Sequence, residues 1–158
     1  MCDRRRIRAR DGPHVIEIAD IRAAADVIGA EAVVTPVLRS DRLDALVGAI
    51  VFCKDESQQR AGAFKFRGAF NRLSLIAPAD RPRGVVAVSS GNHGAAVACA
   101  AHRLGMAATV HVPENVAASK RALIESFGAS IVTFDRATPD REAGALRAAG
   151  GLDGVFTA

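Results

Sequence analysis

Residues Val85 to Gly94 read VVAVSSGNHG. Four apolar residues with no polar interruption mark a strand buried on both sides, as in a parallel sheet. Ser89-Ser90-Gly91-Asn92 reads as a turn. His93 to Leu104 then runs on as a helix made almost wholly of Ala, Val and Cys. Side chains that small let a helix lie close against a sheet. A strand, a tight turn and a helix in that order form the first part of a βαβ unit.

Downstream the alternation continues. Ala107 to Val112 predicts a strand closed by Pro113, Ala117 to Phe127 a helix ended by Gly128, and Ile131 to Phe134 a further strand. A weaker helix over Asp140 to Ala149 and an extended piece over Gly154 to Thr157 follow. Upstream, Asp20 to Ile28 reads as a helix with Asp20 able to cap it, stopped by Thr35-Pro36-Val37. A short helix over Asp41 to Val47 and a β-rich run over Ala49 to Cys53 come next. Phe64 to Ile76 places Phe66, Ala69, Phe70 and Leu73 on one helical face, and Pro78, Pro82 and Gly84 end it. The pattern predicts an α/β fold, an open, mainly parallel sheet with helices on both faces and right-handed crossovers.

The composition is globular, 49% apolar and 24% charged over 158 residues. No apolar run approaches bilayer length, and the basic N-terminus MCDRRRIRARDG has no apolar core behind it, so neither a membrane span nor a secretory leader is read. Cys2, Cys53 and Cys99 are odd in number and widely spaced, which fits a reducing compartment, the cytoplasm. The formal charge of +4 belongs to the tail: residues 1–10 hold five Arg and one Asp, which leaves 16 basic against 16 acidic residues in the rest. Residues 1–14 are therefore expected to be a solvated, disordered basic tail. With no matching basic groove and few aromatics, the sequence gives no nucleic-acid surface.

Chemistry concentrates in two stretches. Ala61 to Asn71 reads AGAFKFRGAFN, with Lys65 between Phe64 and Phe66, and Lys65 is one of three lysines among 21 basic residues. Such a lysine is either an amine nucleophile for an aldehyde cofactor or a helix-start residue reaching water from an apolar face. Partial burial beside Phe64 and the nearby cation Arg67 would favour its uncharged form. Ser89 to Gly94 lies where open α/β sheets bind ligands, at the carboxyl end of a strand and the start of a helix. Its plain reading is a Ser/Asn helix cap with a turn glycine. His93 reads as a hydrogen-bonded structural histidine or a helper in catalysis. Asp55 and Glu56 read as a solvated loop edge. His102 and His111 lack a partner at metal-ligand spacing, so no metal site is read.

Taken together, AGAFKFRGAFN and SSGNHG resemble the threonine/serine dehydratase and serine racemase family, the fold type II enzymes that use pyridoxal 5'-phosphate (PLP). Thr35-Pro36-Val37, Lys54-Asp55-Glu56, Gln59 and the run from Pro113-Glu114 to Gly128-Ala129 agree with it. The likeness runs from about Asp20 to Val132, while Ala61, Ala63 and Ala95 depart from the family's usual residues. It implies that Lys65 holds PLP and moves the α-proton of an amino acid. It further implies that Phe64 packs near the cofactor ring, that Asn92 hydrogen-bonds its 3'-oxygen, and that Ser89, Ser90, Gly91 and His93 cradle the substrate carboxylate. The implied reaction is dehydration of L-threonine or L-serine to a 2-oxo acid and ammonia. Serine racemisation uses the same residues and is not separated from it here.

The family's chains are about twice as long, and their second half supplies a glycine-rich phosphate loop. The resemblance therefore implies a fold type II small domain plus an incomplete large domain. Residues 15–52 would begin the large domain, 53–150 would form the small PLP and substrate domain, and 151–158 would start the return to the large domain, truncated. A homodimer or a complementing second half is the implied macromolecular partner. A catalytically inactive remnant that only binds a partner is the alternative of another class.

Overall fold

The computed structural model describes residues 15–89, 91–135 and the backbone of 155–157. The tail 1–14, Ser90, the expected helix over Asp140 to Ala149 and the rest of 136–154 lie outside the described residues, as does Ala158. In chain order come α1 (Ile18–Ile28), β1 (Val37–Leu38), α2 (Asp41–Val47), β2 (Cys53–Lys54), α3 (Lys65–Ser74), β3 (Val85–Val88), α4 (Asn92–Arg103), β4 (Ala108–Pro113), α5 (Ala118–Ser126), β5 (Ser130–Phe134) and β6 (Val155–Thr157). One sheet has the order β5-β4-β3-β6, and every pairing in it is parallel. Val85 pairs with Ala108 and Val88 with His111, so β3 and β4 start level and β4 runs two residues further. The parallel α/β reading is borne out.

The core forms where α3 packs on α4 and α4 packs on the sheet. Phe66, Ala69, Phe70 and Leu73 of α3 are buried at the expected three-and-four spacing, and the Phe66 and Phe70 rings lie tilted against each other with centroids 5.6 Å apart. Burying a Phe or Leu fully is worth about 1.5–3 kcal/mol each. In α4, every residue from Gly94 to Ala101 is buried. A Cβ on Gly94 would stand 2.8 Å from Val110 Cγ1 and 3.2 Å from Ser89 Cβ. The helix therefore rests on the sheet at a distance only glycine permits at its first turn.

Residues 15–52 are built differently. Thr35 is their one buried residue, while Val34, Leu46, Ile50 and Phe52 are 93%, 83%, 65% and 67% exposed. Ile28 of α1 is half-buried and packs on the core. So broad an apolar surface is unusual for a face that stays in water.

Two expectations are corrected here. The helix expected from Asp20 starts at Ile18. Glu17 precedes it, and Asp20 accepts a hydrogen bond from the Glu17 backbone N–H at 2.9 Å. The strand expected over Ala49 to Cys53 shrinks to Cys53–Lys54, paired antiparallel with Val37–Leu38. Asp44 is the physical reason. Its backbone oxygen takes the N–H of Gly48 and Ala49, and its side chain takes that of Val51 at 2.8 Å, so the end of α2 claims the donors a longer strand would need.

Candidate active site

Lys65 is delivered by a strained turn. Ala61 has φ 57° and Gly62 φ 67°, two left-handed residues in succession. An alanine in that conformation costs about 1–2 kcal/mol. Arg60 and Gln59 tie the turn down: the Gln59 Oε1 accepts from the Arg60 and Val33 backbone N–H groups, each at 3.0 Å, and its Nε2 donates to the Val33 carbonyl at 2.9 Å. Gln59 is itself buried.

A carboxylate organises the surroundings. Glu56 accepts from Arg67 Nε at 2.9 Å and Nη2 at 2.7 Å, and from the Thr35 hydroxyl at 2.6 Å. Lys54 stands 3.9 Å away and donates to the Thr35 carbonyl at 3.0 Å. The Arg67 hydrogen bonds hold the Glu56 carboxyl down at about 2, against the opposing effect of burial and with help from Thr35. Reading Glu56 as a solvated loop edge is thus wrong. A charge-assisted fork on one carboxylate joins the chain at Val33–Thr35 to the first turn of α3. Only the sequence spacing Glu56 to Arg67, either side of Lys65, could have hinted at this.

Lys65 itself is exposed, and Phe64 is 59% exposed. The expectation of partial burial with Arg67 as a neighbouring cation fails, because α3 turns Phe66 inward and Arg67 is spent on Glu56. The three lysines differ in another way. The Lys54 ammonium donates to Thr35 and that of Lys120 to Asn92 Oδ1. Among the described residues the Lys65 ammonium has no hydrogen bond or ion pair.

The charge of Lys65 reaches the start of α4, where it acts on His93. Ser89 continues the ladder past β3, its N–H donating to the His111 carbonyl at 2.9 Å, and its hydroxyl accepts from the Gly91 N–H at 3.1 Å. Gly91 occupies the N-cap position, and among the described residues no side chain caps the helix. Ser89 and Asn92 do not supply the expected Ser/Asn cap, and Ser90 lies outside the described residues; the free N–H groups of a helix start favour an anion. Asn92 is exposed at the first helical position. His93 follows, half-buried. Its Nε2 is buried and has no hydrogen-bond partner among the described residues, so the expected bonded structural histidine lacks a partner at that nitrogen. Burial, and then the charge of Lys65, hold its imidazole below the ordinary value. Lys65 thus stands within electrostatic reach of His93, with Asn92, Gly91 and Ser89 next to His93 along the chain; Ser90 lies outside the described residues. His111 also has a buried Nε2 without a partner and is likewise lowered by burial.

A family model described as "Pyridoxal-phosphate dependent enzyme" matches residues 30–156. An L-threo-3-hydroxyaspartate ammonia-lyase of a Pseudomonas species is 50% identical over 123 residues, 78% of this chain and 39% of that protein. A serine racemase of Schizosaccharomyces pombe is 41% identical over 123 residues, 78% of this chain and 38% of the racemase. The structure of maize serine racemase superposes with a TM-score of 0.86 at 38% identity, covering 90% of this chain and 44% of that one. The chain spans about two-fifths of the length of these curated relatives.

Proposed function

The chain belongs to the family of pyridoxal-phosphate-dependent enzymes, and from that premise we propose that it is the amine-bearing part of an ammonia-lyase. The substrate we assign is a small β-hydroxy amino acid, L-serine or L-threonine, and the products are a 2-oxo acid and ammonia. One observation carries this reading: Lys65 alone of the three lysines has an ammonium unengaged among the described residues, and its charge acts on His93 in the first turn of α4.

The donor set suits PLP. It offers a primary amine for an aldehyde, a carboxamide donor and an exposed aromatic ring, from Lys65, Asn92 and Phe64. When bound, PLP supplies the electron sink that lets an α-proton leave. The chain's own part is to place and move that proton. The Lys65 amine takes it from the α-carbon, and the β-hydroxyl departs with a proton as water. Ser89, Ser90, Gly91 and His93 receive the substrate carboxylate, using the N–H groups and dipole at the start of α4. An imidazole kept neutral by burial adds no competing charge to Lys65. Phe64 would pack near the ring.

Residues 53–150 would form the PLP and substrate domain, and 15–52 and 151–158 parts of a larger one. The exposed apolar surface of 15–52 would then take a complementing second half or a second copy of the chain. Among the described residues, Cys53 and Cys99 are unpaired, in keeping with the cytoplasm, and no helix is long and apolar enough to cross a membrane.

The test is site-specific labelling. PLP is added, the adduct is reduced with borohydride, and peptides are mapped. The phosphopyridoxyl group should fall on Lys65 well ahead of Lys54 and Lys120; an even spread over the three would end the proposal. Turnover is then measured as 2-oxo acid from L-serine, L-threonine and L-threo-3-hydroxyaspartate. The last compound enters because of the Pseudomonas relative. Chiral analysis of recovered serine examines a second reading, racemisation, which the likeness to two serine racemases favours.

A further inference from the structure

Lys120 is left without a role on the reading above, and the role assigned to it below rests on that reading. Lys120 lies in the first turn of α5 and is half-buried, and its Nζ donates a hydrogen bond to Asn92 Oδ1 in the first turn of α4. An ammonium has donors and no acceptor, whereas a carboxamide has one oxygen and one NH2. The contact therefore decides how the amide of Asn92 faces. Its oxygen points to Lys120, and its two N–H bonds point away from Lys120. Without that ammonium the two orientations of the amide are nearly equal in shape, and the torsion that exchanges them is soft.

The position of Lys120 is otherwise unfavourable. A cation in the first turn of a helix opposes the helix dipole. No carboxylate among the described residues forms an ion pair with it. Asn92 is thus the group its ammonium engages. We infer that Lys120 is a positioning residue: it locks the Asn92 carboxamide so that a donor faces an anionic oxygen bound at the start of α4. On the reading above that oxygen is the 3'-oxygen of PLP. The same lock disfavours a ligand that offers a donor there.

Two variants test this in the whole chain. Lys120→Met keeps the aliphatic stem and removes the donor; Lys120→Arg keeps a donor. In the protein without PLP, the Asn92 carboxamide 15N–1H signals should shift in Lys120→Met and stay close to wild type in Lys120→Arg. In PLP titrations followed by absorbance, Lys120→Met should weaken binding roughly threefold to tenfold, the loss of one hydrogen bond. It should also move the visible band toward the form with a protonated 3'-oxygen, while Lys120→Arg restores both. Thermal melting is recorded alongside. Unchanged Asn92 signals in Lys120→Met overturn the inference. So does equal loss of binding and melting temperature in both variants, which marks a packing residue. If wild type takes no PLP on Lys65, the proposed function fails, and the signals of the unloaded protein still decide the role of Lys120.

Discussion

Replacing Glu56 by Gln removes the charge that joins Thr35 to Arg67 while keeping size and shape. The structure sets the size and the pH signature of the effect. The Glu56 carboxyl is held at about 2, against 4.5 for an ordinary glutamate. A gap of that size corresponds to about 3 kcal/mol, at about 1.36 kcal/mol per pH unit. The side chain keeps 17% exposure and its partner Arg67 23%. Water therefore screens part of the attraction, and about 2 kcal/mol at pH 7 is the expected loss. Because the folded value lies below the unfolded one, this stabilisation is complete above about pH 4.5. It then drains away as pH falls toward 2. Urea unfolding of wild type and Glu56→Gln at several pH values reads it directly. The gap between them should be about 2 kcal/mol at pH 7 and should close as the wild-type carboxyl is protonated. A constant gap from pH 7 to pH 3 would refute the electrostatic account and leave only packing. No gap at pH 7 would refute the clamp altogether. A second readout tests its functional side: PLP labelling of Lys65 should slow in the variant, since α3 loses its tie at the first turn.

Gly94→Ala should destabilise the fold by about 1–3 kcal/mol, because its Cβ would fall 2.8 Å from Val110 Cγ1 and α4 must lift; an unchanged melting temperature would show that the helix has slack. Lys65→Met should leave stability within about 0.5 kcal/mol, since the residue is exposed, and should abolish site-specific PLP labelling. The same variant should raise the His93 titration midpoint toward 6.5 by removing a repelling charge, which an NMR titration reads; a midpoint that does not move would separate the two residues.

Much of this molecule can be read from its residues. The apolar run Val85–Val88 and the small-residue helix after it announce a buried parallel strand, because burial on both sides leaves no room for alternation. The face formed by Phe66, Ala69, Phe70 and Leu73 is equally plain. What the sequence hides is decided by side chains acting at a distance. Asp44 shortens a strand by taking its donors. Glu56 looks like a polar loop residue until Arg67, eleven positions on, is brought round to it. The outward turn of Lys65 follows from which side of α3 meets α4, and flanking phenylalanines do not reveal that. The nearness of Lys65 to His93 is legible only when the two motifs are read as a pair, since neither stretch alone outweighs an ordinary helix start.

The buried run Gly94–Ala101 carries a consequence for how such a chain can diverge. Nearly every replacement in a row of Gly, Ala, Val and Cys adds volume, and a close-packed interior resists added volume. Mutation there is a one-way street that ends in a wall. New selectivity would have to be written at the helix tip, where Asn92 and His93 still have space to vary, while the shaft behind them stays almost fixed.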